Sequence, residues 1–340
     1  MRQSNTRTVV EQKPLGIIDS ISAGLDLVRR RPWTLFIPIL LDLMIWLAPR
    51  LSLTQLFRPF AELMVNILTA LSGDPQASDQ ARRMFQEMTG SLNLFGVVTT
   101  ALNAVMHLPS LFKVDKYPAP VVNMPSPINA AFPQAQALPE VVVALFVPLF
   151  LLGLLLAAVY LEWIAQGVRP LQTQPPGATL VRIAQLWLRL IVFALLLIGL
   201  ALAAALSVTL LQASVANPEL VAFFALLIMV GLFWISIYFF FVAAAMAVSG
   251  IHLRLAVQRS VLLFRAFFWS AIGLVALSVF LERGLAIVWD GLTVTTAGVV
   301  IAIAANAYIG TSLIAAAMVY YQDRMNLIER WRQAAKNTKR

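Results

Sequence analysis

Long uncharged runs separated by short basic segments set the pattern of this chain. Residues 141–160, 190–211 and 220–248 hold no charged side chain and count 20, 22 and 29 residues. Each exceeds the roughly 18 apolar residues that read as a transmembrane helix. Two further runs follow, an apolar one at 266–281 and an uncharged one at 291–321. A first run, 32–49, has 18 residues and carries Asp42. Six spans are therefore predicted.

A basic amphipathic segment precedes every second span. Ile18, Ile21, Leu25 and Val28 recur at helical spacing, with Asp19, Asp26 and Arg29 elsewhere around the same helix. That is the pattern of a helix lying in the membrane interface. Gly16, Gly177 and Gly250 each open such a segment, and Trp33, Trp187 and Trp269 each stand near the start of the span that follows. Tryptophan suits that depth. The expected fold is an all-α integral membrane protein, a six-span helical bundle with a threefold repeat of interfacial helix, span, span. Its expected parts are interfacial helix and span 1 at 15–49, span 2 at 139–165, interfacial helix and spans 3–4 at 175–248, and interfacial helix and spans 5–6 at 249–322. A polar arm at 1–14 is expected to be disordered and cytoplasmic, and a basic tail occupies 323–340. Between spans 1 and 2, residues 50–138 break the pattern with amphipathic stretches and a proline-rich connector. They are expected to form an extracytoplasmic subdomain.

Composition narrows the class. Hydrophobic residues make up 60% of the 340 and charged residues 12%, which excludes an ordinary soluble chain. The 25 Lys and Arg exceed the 16 Asp and Glu, and the excess is unevenly placed. Arg29, Arg30, Arg31, Arg169, Arg182, Arg189, Arg254, Arg259 and Arg265 fall on one side of the six-span arrangement together with both termini, whereas residues 73–139 carry equal numbers of cations and anions. By the positive-inside rule both termini are cytoplasmic. The expected location is a prokaryotic cytoplasmic membrane. No small-x-small cleavage site follows the first run, so the N-terminus is expected to be retained. Nucleic acid is not an expected partner. With no cysteine, the chain has neither a disulfide framework nor a thiolate site.

Candidate chemistry is sparse. An aspartate at a helix centre costs about 2.5 to 3.5 kcal/mol to insert, so Asp42 should face the bundle and have a partner, for which Asn306 is one choice. The residue then either handles an ion or proton or makes a structural polar contact. Gly298, Ala302, Asn306 and Gly310, and separately Gly199, Ala203 and Ser207, recur every fourth residue. Such ladders let membrane helices approach closely. Arg29, Arg30, Arg31, Arg182, Arg189, Arg254, Arg259 and Arg265 are candidate contacts for anionic lipid headgroups on the cytoplasmic side. Hydrolase, zinc-protease and phosphate-loop motifs are missing, so no catalysis, metal or cofactor is expected.

The segments RSVLLFRAFFWSAIGLVAL and YIGTSLIAAAMVYYQDRMNLIE, with the opening IIDSISAGLDLVRRRPWTLFIPILL, resemble the membrane domain associated with glycerophosphoryl diester phosphodiesterases and related bacterial polytopic families. Tyr320, Tyr321, Asp323 and Arg324 look like that family's final-span ending. The resemblance implies a membrane component without catalysis, since the chain lacks the histidine and acidic clusters of the phosphodiesterase domain. The expected function is a noncatalytic protein that organises a membrane complex, with a protein partner, or binds anionic lipid. The alternative is a small-molecule or ion permease using Asp42 and the polar positions of the last span.

Overall fold

The structure is a computed structural model that describes residues 14–47, 62, 83, 139–169, 177–214 and 217–337. The expected arm and nearly all of the 50–138 insertion lie outside the described residues. Among the described residues the chain is helical: α1 (Ile17–Arg30), a 3-10 turn (Pro32–Leu35), α2 (Phe36–Leu47), α3 (Pro139–Val168), α4 (Ala178–Ser214), α5 (Pro218–Phe239), α6 (Val242–Ser249), α7 (Leu253–Ala266), α8 (Phe268–Leu292) and α9 (Thr296–Asn337). Five helical stretches, α3, α4, α5 with α6, α8 and α9, are long and apolar enough to cross a membrane. This is the architecture of an all-α, multi-pass membrane protein. The first expected span is the shorter apolar stretch Pro32–Leu47.

Local sequence accounts for several of the boundaries. The Asp19 carboxylate accepts from the Gly16 N–H at 2.9 Å and closes the start of α1. Pro32 disfavours the helical region for the residue before it, and α1 ends as Arg31 turns to φ −133°. At Phe267, also near φ −134°, α7 gives way to α8. Both α1 and α7 have 14 residues. No such break occurs at the second basic segment, that of Gly177, because α4 runs for 37 residues from Ala178 through the apolar run without interruption. The interfacial helix expected before span 3 is thus the first part of the span itself.

The run at 220–248 also departs from a single long helix. It breaks at 240–241 into α5 and α6, and the Ser260 hydroxyl on α7 donates to the Tyr238 carbonyl at 2.5 Å beside the break. Every residue of α6 from Val242 to Val248 is buried. This short, alanine-rich helix packs against α3, α4, α7 and α9 at the centre of the main core. Phe241 stacks on Tyr320 with ring centroids 5.6 Å apart. A smaller core joins α2, α8 and α9 through Trp46, Trp289, Val299, Ala302 and Ile303.

Helix α1 packs by a small-residue face that takes in only part of its apolar stripe. Ser20, Gly24 and Val28 are buried and Ile21 packs against the main core, whereas Ile18 is 77% exposed. A Cβ at Gly24 would overlap the Ser312 carbonyl and come within 2.7 Å of the Ala316 nitrogen. Backbone therefore meets backbone where α1 crosses α9. The two small-residue ladders have opposite fates. On α9, Gly298, Ala302 and Asn306 are buried, while on α4 Gly199, Ala203 and Ser207 are all exposed and a Cβ at Gly199 would meet nothing within 4 Å. The expected packing role of the α4 ladder is not realised among the described residues.

Candidate functional site: an arginine-lined cavity

At the end of α3, Glu162 and Arg169 lie seven residues apart, two helical turns, and so on one face. Arg169 donates from Nη1 to Glu162 Oε1 at 2.8 Å and from Nη2 to Oε2 at 2.7 Å. The same guanidinium reaches the end of α6, its Nε donating to the Val248 carbonyl at 3.1 Å and its Nη2 to the Ala247 carbonyl. Helix α6 stops there because Gly250 takes φ +65°, a left-handed cap that leaves the last carbonyls without helical donors. A cation at a helix C-terminus also complements the helix dipole. Glu162 is 1% exposed, so the pair is a buried, bidentate ion pair with further hydrogen bonds. Gln166 adds a donor to Glu162 Oε1 at 3.4 Å.

Beside this pair opens a cavity of about 430 Å³ between α3, α4, α6 and α9. Arg169, Arg182, Gln185, Arg189, Ser249 and Gln322 supply its polar wall. Three guanidiniums and one carboxylate, that of Glu162, line it. Arg182, Gln185 and Arg189 share one face of α4, at positions i, i+3 and i+7. The Ser249 hydroxyl is held by Tyr321 at 3.1 Å and by Arg259 at 3.3 Å, and Arg259 also pairs with Glu329 at 3.9 Å. A second cavity, of about 590 Å³, lies on the other side of Arg169 and Gln322, which line both. Its walls include Arg30, Arg31, Asp26 and Asp323.

The start of the described chain is tied to α9 close by. The Leu15 N–H donates to Asp323 Oδ2 at 3.1 Å, and Arg324 Nη2 donates to the Leu15 carbonyl at 2.7 Å. The Arg324 guanidinium lies 4.9 Å from the centroids of both Phe267 and Tyr320. The Tyr-Asp-Arg ending thus joins α1, α7 and α9.

Of the residues singled out from sequence, Arg182 and Arg189 meet in the first cavity, and Arg30 and Arg31 line the second. Arg31 also lies 5.9 Å from the Trp33 ring. Arg29 pairs with Asp26 at 3.5 Å on the exposed side of α1, and Arg254 and Arg265 are exposed on α7. Asp42 is fully buried in α2 and has a hydrogen-bonding or electrostatic partner. Asn306 is buried too, and its amide nitrogen has no hydrogen-bond partner among the described residues. Glu162 and Arg169 were missed as a site by sequence reasoning, although two opposite charges seven residues apart at the end of an apolar run could have marked them.

The fold and this charged end define a multi-pass helical membrane protein with an arginine-lined cavity. Comparison of the chain with protein-family models, curated proteins and solved structures finds no match.

Proposed function

We propose that this chain is a noncatalytic protein of a prokaryotic cytoplasmic membrane that binds anionic lipid at its arginine-rich end and so organises a membrane complex. In this reading both termini are cytoplasmic, α2 with its 3-10 turn is the first of six spans, and α1–α2, α4 and α7–α8 are related openings of a threefold repeat. The observation that carries it is the cavity in which three arginines face one glutamate. Arginine suits such a role, since its guanidinium matches phosphate oxygens in a two-pronged contact. The exposed Arg29, Arg254 and Arg265 add surface attraction of about 1 kcal/mol per well-placed cation.

Native mass spectrometry of the full chain, extracted gently from its own membrane, tests this. A retained anionic lipid or a stoichiometric protein partner is expected; a bare chain would refute the reading. A second reading, a small-molecule or ion permease, draws on the full burial of Asp42 and the unpaired amide of Asn306. It requires pH-dependent flux in vesicles that Asp42→Asn abolishes, and unchanged flux would remove Asp42 from any such mechanism.

A further inference from the structure

We infer that the groove between α7 and the C-terminal part of α9 seats one anionic phospholipid, its phosphate held by Arg265 and Arg332 and its apolar part lying on Val257, Val261 and Leu262. The inference rests on the lipid-binding reading above and adds to it a second site, apart from the cavity at Arg169.

The groove holds about 410 Å³ and is lined by Val257, Gln258, Val261, Leu262, Arg265 and Arg332. Val257, Val261 and Arg265 form one i, i+4 row along α7, and Gln258 and Leu262 form the row beside it, so the five make a single stripe. The α9 side is held in place. Glu329 pairs with Arg259 at 3.9 Å, and Trp331 lies on Phe267 with ring centroids 5.6 Å apart, which brings the next residue, Arg332, to the groove.

Charge and apolarity together choose the occupant. No carboxylate lines the groove among the described residues, and the acid closest before Arg332 along α9, Glu329, is the one paired with Arg259. Arg265 and Arg332 are exposed and form no hydrogen bond or ion pair among the described residues. Their guanidiniums match phosphate oxygens. A free phosphate gains nothing from two valines and a leucine, and an uncharged lipid gains nothing from two arginines. A molecule with an anionic end and an apolar body uses both.

Depth points the same way. The candidate span α8 begins at Phe268, Trp269 in its first turn is 83% exposed, and Trp331 is 53% exposed. Tryptophan settles at the membrane–water interface, the level of lipid headgroups. Arg265 stands one turn before Trp269 and Arg332 adjoins Trp331, so both cations come to that level.

The test is a native mass spectrometry titration of the full chain in detergent with phosphatidylglycerol, with zwitterionic phosphatidylethanolamine and with glycerol 3-phosphate. Arg265→Gln and Arg332→Gln should each weaken one bound phosphatidylglycerol about tenfold, as loss of a charge-assisted contact implies. Arg330→Gln removes the same charge from an exposed position of α9 outside the groove and should leave that lipid in place. Equal loss in all three variants, or full retention by both groove variants, would overturn the site while leaving general anionic-lipid binding intact. Retention of no phosphatidylglycerol by the native chain would overturn both readings, and equal retention of the two lipids would overturn the anionic preference of the groove. Displacement by glycerol 3-phosphate at equal concentration would overturn the lipid as the source of the phosphate. A stoichiometric protein lost from both groove variants while lipid retention is unchanged would make the groove a protein dock instead. Should a glutamine variant fail to fold, Val261→Asp sets a carboxylate in the groove and leaves both arginines; it should weaken the same lipid, and unchanged retention would overturn the seat.

Discussion

The arginine-rich end and the far half of the α4–α5 hairpin use polar side chains in opposite ways. At the first, polar groups tie helices together: Arg169 joins α3 to α6, Arg324 joins α9 to the residue before α1, and Arg259 with Tyr321 fixes Ser249. At the second, the Ser207 and Thr209 hydroxyls each bond a carbonyl of their own helix four residues back. Nothing there is shared between helices by these groups. Leu202, Leu206, Leu210, Phe223 and Leu226 face outward on the same hairpin. Apolar burial cannot separate the two regions in a bilayer, where lipid tails are as apolar as leucine. What differs is the number of groups that lose a partner if the helices part.

The largest expected effect is therefore at Glu162. Removing one partner of a buried ion pair leaves the other charge uncompensated, at a cost of about 3 to 5 kcal/mol. Glu162→Ala should lower the thermal midpoint in detergent sharply. The double variant Glu162→Ala with Arg169→Met should recover part of that loss; if it does not, the Arg169 contacts to the end of α6 matter more than the pair. Next comes Gly24→Ala. Its methyl group would overlap Ser312 and crowd Ala316, and overpacking of this kind costs about 1 to 3 kcal/mol. A midpoint equal to that of the native chain would show that α1 does not press on α9 as tightly as the geometry says.

A smaller loss is expected at the centre of the bundle. Tyr160 donates to Thr311 Oγ1 at 2.8 Å, and both side chains are fully buried. Tyr160→Phe removes the bond while keeping the ring, so a loss of about 1 to 2 kcal/mol is expected, less than at Glu162 because no charge is stranded. Differential scanning in one detergent ranks the three.

Sequence pattern revealed the helical class well and the site poorly, for physical reasons that differ by residue. Uncharged runs at 141–160 and 190–211 lie within α3 and α4, since length and apolarity alone determine that reading. In the sequence Gly250 reads only as the opening of a basic segment, and in the fold it also ends α6 in the left-handed conformation that favours glycine. The break at 240–241 had no glycine or turn signal to mark it. It lies inside a run of aromatic and apolar residues without proline or glycine, and the partner of its carbonyl is Ser260 on another helix. Glu162 and Arg169 were legible as charges but not as a pair holding the end of α6, because that contact joins residues nearly 80 positions apart. Arg182 and Arg189 were picked out by their basic, helical spacing, and their convergence on one cavity needed the fold.

The small-residue ladder on α4 makes the comparison sharpest where the expected effect is least. Spacing of Gly199, Ala203 and Ser207 says that a helix could approach this face; it does not say that one does. Among the described residues none comes within 4 Å of a Cβ placed at Gly199. With no neighbour to displace, Gly199→Ala changes only the helix's own preference, which favours alanine by up to about 1 kcal/mol in an exposed helix interior. The midpoint should hold or rise slightly, opposite in sign to Gly24→Ala measured beside it. A fall of similar size at both glycines would mean that another surface occupies the α4 face as α9 occupies that of α1, and the far half of the hairpin would then be a contact rather than a lipid-facing wall.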